Sequence, residues 1–105
     1  MEKIDEKKLQ EMQIIEQSLQ NILLQKQAFE MELAETKSAT NEIEKSGDDV
    51  YKIIGSLMIK KDKKEVKEEL KNKENVLNLR LKTIEKQEKA FMEKSEKIRK
   101  EILKE

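Results

Sequence analysis

Apolar residues in the first part of the chain recur at alternating intervals of three and four positions. If Met12 is taken as position a of a heptad, seven of the ten a and d positions up to Ile43 are apolar. The a column is Met12, Leu19, Lys26, Leu33 and Thr40, and the d column is Ile15, Ile22, Phe29, Thr36 and Ile43. This spacing is typical of a coiled-coil seam. We therefore predict a first long helix over residues 1–46.

A second heptad pattern follows in the last part of the chain. One column is apolar at every seventh position, namely Leu70, Leu77, Ile84, Phe91 and Ile98. The companion column is mixed, because Val66, Leu81 and Ile102 fit one side or the other of the spacing and polar residues fill the rest. Asp62, with Glu65 three residues later, forms a capping box that marks a helix start. We predict a second long helix over residues 62–105.

The segment between the two helices has the pattern of a β-hairpin. Residues 50–54 and 57–61 are rich in β-branched and other apolar residues, and Gly55-Ser56 separates them. Glycine at the first of two loop positions suits a type II′ turn, and Gly47 suits a left-handed residue just after the first helix. We therefore predict a hairpin over residues 47–61.

This hairpin would be apolar on both sides, because side chains alternate between the faces of a strand. One face would carry Val50, Lys52, Ile54, Leu57 and Ile59, and the other Tyr51, Ile53, Met58 and Lys60. A two-stranded hairpin is marginal alone, and two helices cannot cover both of its sides. We expect other subunits to bury it, whereas a mere connector would need no apolar residues. The residues assigned to assembly are Val50, Tyr51, Ile53, Ile54, Gly55, Leu57, Met58 and Ile59.

Charge is balanced over the chain but divided between the two helices. The totals are 23 basic and 23 acidic residues, yet residues 1–45 hold six basic and ten acidic side chains and residues 63–105 hold fourteen and ten. Opposite net charges favour pairing of the two helices, which must be antiparallel across a hairpin. If facing residue numbers add to about 110, Leu33 meets Leu77 and Lys26 faces Ile84. This lysine either fixes the register or lays its stem past the seam.

The residue types that are missing exclude several kinds of chemistry. The chain has no cysteine or histidine, so disulfides, thiolate nucleophiles, Ser-His relays and the usual zinc ligands are excluded. No apolar run reaches the length of about 18 residues that spans a membrane, and the N-terminus lacks an apolar signal region. The lysines of residues 60–64 could suggest nucleic-acid contact, but acidic residues interleave them and the net charge is zero. We expect an intracellular protein that is not an enzyme and needs no cofactor or metal.

The stretch from Tyr51 to Leu70 is similar to the β-type subunits of prefoldin, an archaeal and eukaryotic cytosolic chaperone. The similarity lies in the Tyr-Lys-x-x-Gly spacing of residues 51–55, in residues 57–60 and in the capped helix start, and Gln25-Lys26-Gln27 adds to it. One hairpin rather than two indicates the β type, and arms without long tails favour an archaeal source. The expected fold is a mainly α, long antiparallel two-helix coiled coil joined by one β-hairpin, as a single prefoldin-like domain over residues 1–105.

The resemblance implies a hexamer of two α-type and four β-type subunits in the cytoplasm. The hairpins would join into intersubunit β-barrels from which six coiled coils hang. Such complexes hold unfolded client proteins at the coiled-coil tips without ATP and deliver them to a group II chaperonin. No nucleic acid and no membrane is an expected partner.

A protein that holds unfolded chains needs apolar surface that those chains can reach. The heptad fails near the N-terminus, and Ile102 and Leu103 are adjacent, so that both cannot sit in one seam. The candidate client-binding residues at the tip are Ile4, Leu9, Met12, Ile98, Ile102 and Leu103. Other off-seam residues could line a client surface or widen the helix contact, and they stay outside this set: Ile14, Leu23, Leu24, Met31 and Met92. The alternative function is a structural scaffold or tether without chaperone activity.

Overall fold

The computed structural model of the chain describes residues 6–104 and contains two helices and two strands. Helix α1 spans Glu6–Lys45, strand β1 spans Asp49–Ile54, strand β2 spans Leu57–Asp62, and helix α2 spans Lys63–Lys104. This order confirms the predicted fold of two long helices with one β-hairpin between them. No proline interrupts either helix, so both continue for about forty residues.

The seam of α1 follows the predicted heptad. All ten of its a and d residues are buried or half-buried, including the polar Lys26, Thr36 and Thr40. The most deeply buried are Ile15, Ile22, Thr36 and Ile43. The three-four spacing therefore identified the contact face of this helix correctly.

The seam of α2 has an apolar column and a largely polar one. The five residues of the strict apolar column are all buried or half-buried, as predicted. The companion column also repeats at intervals of seven and is covered throughout, and its members are Lys67, Glu74, Leu81, Glu88, Ser95 and Ile102. The mixed column of the sequence is therefore a regular seam column in which polar side chains replace apolar ones.

The chain divides into two compact units. The first comprises residues up to Ala28 and from Leu81 onward, and the second comprises residues 29–80. Each unit takes one stretch from α1 and one from α2, so each contains its own pairing of the two helices. The hairpin belongs to the second unit.

In the first unit, contacts join early residues of α1 to late residues of α2, which is the antiparallel arrangement expected for two helices joined by a hairpin. Lys8 Nζ lies 3.8 Å from Glu101 Oε2, close to the predicted register. Lys26 Nζ lies 3.2 Å from Glu88 Oε1, one helical turn beyond Ile84. The ammonium group of Lys26 therefore pairs with a carboxylate of α2, which agrees both with a role in fixing the register and with a stem that passes the seam.

In the second unit, polar groups take part in the helix contact. The Thr36 hydroxyl, on a side chain that is only 3% exposed, donates to the Glu32 carbonyl oxygen at 2.8 Å. The Thr40 hydroxyl donates in turn to the Thr36 carbonyl oxygen at 3.0 Å. Lys67 Nζ lies 2.9 Å from Glu44 Oε1, and this contact lowers the pKa of the Glu44 carboxyl below its usual value.

The hairpin pairs residue for residue as its alternation predicted. Tyr51 faces Lys60 and Ile53 faces Met58, so these four share one side of the sheet, while Ile54 and its partner Leu57 lie on the other side. Gly55 has φ of +60°, and no other described residue has a positive φ. A positive φ at the first loop position and a negative one at the second define a type II′ turn, which confirms the predicted turn.

Two local predictions at the helix ends need correction. Gly47 does not adopt the left-handed conformation. The Ser46 hydroxyl instead donates to the Ile43 carbonyl oxygen at 2.9 Å and Lys63 Nζ donates to the Ser46 carbonyl oxygen at 2.8 Å, so side chains satisfy the end of α1. Asp62 does cap α2, but its carboxylate accepts from the backbone N–H of Lys64 at 3.3 Å rather than from Glu65.

Candidate functional site

The hairpin exposes apolar side chains on both of its faces. Ile53 is 70% exposed and Met58 67% on one face, and Leu57 is 65% exposed on the other. Tyr51, Ile54 and Ile59 are also exposed, and Val50 is half-buried. Contiguous exposed apolar surface of this kind marks an interaction site in a protein. We call these residues, with Gly55 between them, the hairpin surface.

The base of the hairpin surface is fixed to the start of α2. Lys52 Nζ lies 3.3 Å from Glu69 Oε2, and Tyr51 lines a cleft of about 260 Å³ together with Val66 and Leu70. Across the hairpin, Lys60 Nζ lies 3.2 Å from Asp49 Oδ1. Lys52 and Lys60 are therefore each paired with a carboxylate, and the exposed apolar residues lie beside these pairs.

The candidate client-binding residues differ in their exposure. Leu103 is 76% exposed and Leu9 is 40% exposed, whereas Met12, Ile98 and Ile102 are half-buried. Ile4 lies outside the described residues. The ion pair between residues 8 and 101 brings the ends of α1 and α2 together, so the described members of the set lie in one region of the first unit.

An open groove lies beside these residues in the first unit. It has a volume of about 460 Å³ and is lined by Glu11, Ile14, Ile15, Phe91, Lys94, Lys97, Ile98 and Glu101. We call it the apolar groove. Ile15 forms its buried floor at 6% exposure, and Ile14 is 65% exposed. Of the tip residues that the structure describes, only Ile98 lines this groove.

Sequence reasoning missed Ile14 and Phe91 as groove residues for different reasons. Phe91 was assigned to the seam, where it is half-buried, and a seam residue can line a groove only if the opposite helix leaves space. For Ile14, the sequence itself contains a signal. In the pair Ile14-Ile15, only one residue can occupy a d position, so the other must lie at the edge of the seam.

Several further apolar residues point away from the seam. Leu24 is 65% exposed and Met31 66%, so they do not widen the helix contact. Leu23 and Met92 are exposed as well, and the structure adds Val76 and Leu79, which the heptad analysis did not single out.

Residues 6–104 contain no cluster of three acidic side chains that could hold a metal ion. Within that range, every buried polar side-chain atom has a hydrogen-bond partner. No helix in the described part of the chain is both long enough and apolar enough to cross a membrane.

Comparison with known proteins agrees with this architecture. The family model described as "Prefoldin subunit" matches residues 6–105. The prefoldin subunit beta of Thermococcus onnurineus is 43% identical over 89 residues, which cover 83% of this chain and 77% of that protein. The prefoldin subunit beta of Pyrobaculum islandicum is 40% identical over 93 residues, which cover 87% and 74%.

A solved structure shows the same fold. The crystal structure of the prefoldin beta subunit from Thermococcus strain KS-1 superposes with a TM-score of 0.88 at 37% sequence identity. The match covers 97% of this chain and 94% of the other. The family model, the sequence relatives and the fold agree over nearly the whole length of the chain, which is similar to archaeal β subunits. The chain therefore belongs to the prefoldin family of chaperone subunits, which are not enzymes.

Proposed function

We propose that this chain is the β-type subunit of an ATP-independent holding chaperone of the cytoplasm. In this proposal, the assembled complex captures unfolded proteins at the coiled-coil tips and delivers them to a group II chaperonin. The observation that carries the proposal is the division of exposed apolar residues between a two-faced hairpin surface and a separate region of the first unit. A protein that only tethers needs the first surface for assembly but has no use for the second.

Assembly is proposed to occur through the hairpin surface. Its strands have unpaired outer edges and apolar side chains on both faces, and such strands pair with further strands. Burial of apolar surface contributes about 25 cal/mol per Å², so covering the two faces with other subunits would remove the cost of exposing them. The proposed assembly is a hexamer of two α-type and four β-type subunits joined by β-barrels.

Client binding is proposed at the tip set of Ile4, Leu9, Met12, Ile98, Ile102 and Leu103. The exposure of Leu9 and Leu103 supports this assignment, and Met12 adds an adaptable side chain whose sulfur accepts from Ser95 Oγ at 3.7 Å. Lysine and glutamate side chains surround these residues and would keep the exposed apolar surface soluble.

Aggregation of a denatured protein provides the test. The complex of this chain with an α-type subunit should suppress light scattering by the aggregating protein without ATP. Deleting residues 1–9 and 99–105 should abolish this suppression. The mass of the complex should fall only by the mass of the deleted residues, which shows that assembly is intact. If the shortened complex suppresses aggregation fully, the tip assignment is wrong. If the full-length complex forms but does not suppress aggregation, the scaffold function is favoured instead.

A further inference from the structure

The apolar groove carries charge as well as apolar surface. We propose that it selects segments of unfolded proteins in which an acidic residue lies beside large apolar residues. This inference rests on the proposed holding function and adds the chemistry of the segment that is held. All of the residues involved belong to the first unit.

The groove has the size and lining of a side-chain binding site. Its volume of about 460 Å³ falls within the range of about 300–1,000 Å³ that is typical of ligand pockets. Ile15 lies at its floor, half-buried Phe91 and Ile98 line it, and exposed Ile14 flanks it. An apolar side chain that enters would contact these four residues and cover part of Ile14, which is 65% exposed.

The charges around the groove are unequal. Lys94 and Lys97 line it together with Glu11 and Glu101. Glu101 Oε2 lies 3.8 Å from Lys8 Nζ, so a third ammonium group stands beside the groove at Glu101. Three ammonium groups and two carboxylates therefore lie at or next to the groove.

One of these lysines is placed over the apolar lining. Lys94 Nζ lies 5.8 Å from the centroid of the Phe91 ring, within the distance at which an ammonium group interacts with an aromatic face. A segment whose apolar side chain reaches Phe91 would bring a neighbouring residue close to this ammonium group. A glutamate or aspartate there would be attracted, and a lysine or arginine would be repelled.

Two labelled peptides test the selectivity by fluorescence anisotropy with the assembled complex. They share a core of leucine and phenylalanine and differ only in whether glutamate or lysine residues flank it. We expect the glutamate-flanked peptide to bind more tightly, by about two- to fivefold per charge as for exposed ion pairs. The preference should shrink as the salt concentration rises above about 0.1 M. The double substitution Lys94→Glu and Lys97→Glu should reverse it.

A matched pair of substitutions tests whether the groove is the site. Ile14 and Leu24 lie on the same helix and are both 65% exposed, but only Ile14 lines the groove. Ile14→Ser should weaken both peptides by about tenfold or more, since burial of a large aliphatic side chain is lost, whereas Leu24→Ser should leave them unchanged. The mass of the complex should be the same for both variants.

Each contrary result overturns a defined part of the proposal. Equal binding of the two peptides, or an unchanged preference after the lysine substitutions, overturns the charge selectivity. Equal weakening by Ile14→Ser and Leu24→Ser overturns the groove as the site, and a loss of mass with Ile14→Ser would show that a second copy of the chain covers it. A complex that selects the peptides but does not suppress aggregation refutes the proposed function and leaves the groove assignment standing.

Discussion

The two compact units of the chain keep their apolar residues in different places. In the first unit, four aliphatic side chains are buried in the helix contact, namely Ile15, Ile22, Leu81 and Ile84. In the second unit, the buried residues are Ile43, Leu77 and the polar Thr36, while the hairpin surface holds six exposed large apolar side chains. Among the described residues, both units therefore expose large apolar side chains, but the second unit exposes more of them and gathers most of them on the hairpin surface.

This difference suggests different lifetimes for the contacts that the two units make. Largely apolar faces on a sheet of fixed register suit permanent burial by other strands. A half-open groove with charged side chains at its rim can be left exposed between binding events, because the charges keep the surrounding surface hydrated. The following predictions test this contrast, from the largest expected effect to the smallest.

The largest effect is expected from charges on the hairpin surface. Replacing Ile53 and Ile54 together with aspartate should break the assembly into smaller species, because a buried interface cannot hold unpaired charges. Light scattering coupled to size-exclusion chromatography would give the mass. As a control, Leu23→Asp and Leu24→Asp together place the same two charges at exposed neighbouring residues of the first unit and should leave the mass unchanged. An unaltered mass in the hairpin variant would refute the assembly role of the hairpin.

The hairpin turn should be the next most sensitive feature. Gly55→Ala places a side chain at φ of +60°, which costs about 1–3 kcal/mol in the free energy of unfolding. An added Cβ would meet no atom within 4 Å at Gly55 or at Gly47, so Gly47→Ala is a control for the backbone effect alone. Gly47→Ala should leave the free energy of unfolding unchanged or raise it by up to about 1 kcal/mol. Urea denaturation of the two variants gives these free energies, and equal stability of the two would contradict the type II′ turn.

A smaller effect, of opposite sign, is expected in the seam of the second unit. Thr36→Val keeps the shape of the side chain and removes a hydroxyl that bonds only to a carbonyl of its own helix. The variant should be as stable as the parent or more stable by about 1 kcal/mol. Thermal unfolding of this variant and of Thr40→Val, at a half-buried position, provides the measurement. A large loss of stability in Thr36→Val would show that the hydroxyl has a structural role.

The smallest effect is a pH dependence from Glu44. Lys67 donates to its carboxylate and lowers its pKa below the usual 4.5, so the ionised form is favoured in the folded state. The resulting stability is present above the pKa of the unfolded chain and is lost as the pH falls through the folded pKa. Because the group is exposed, the effect is small. In the Glu44→Gln variant, the free energy of unfolding should fall slightly less than in the parent as the pH drops below about 4.5. Identical dependence of this free energy on pH in the two proteins would contradict the contribution of the pair.

The periodic features of the fold were predictable because they follow from local geometry. The alternation of three and four in α1 specifies its contact face whatever the partner, and the strict column from Leu70 to Ile98 does the same for α2. Strand alternation likewise assigned Tyr51 and Ile54 to opposite faces of the hairpin, and glycine at residue 55 selected the turn.

Features that depend on the facing helix were not predictable in the same way. The polar column of α2 looked irregular because Glu88 and Lys67 become suitable seam residues only when Lys26 and Glu44 lie opposite them. The end of α1 was mispredicted because Lys63, distant in sequence, donates to the Ser46 carbonyl oxygen and removes the need for a left-handed glycine.

The sequence by itself determined the two helices, the hairpin with its two apolar faces, the antiparallel pairing and the likeness to prefoldin β subunits. These depend on spacing, residue type and the sign of charge, all of which are local properties of the chain. Only the tertiary structure decided that Lys26 pairs with Glu88 and that Ile14 lines a groove with Phe91. Those outcomes depend on the distance and register between two helices, which place residues far apart in sequence within a few ångströms of each other.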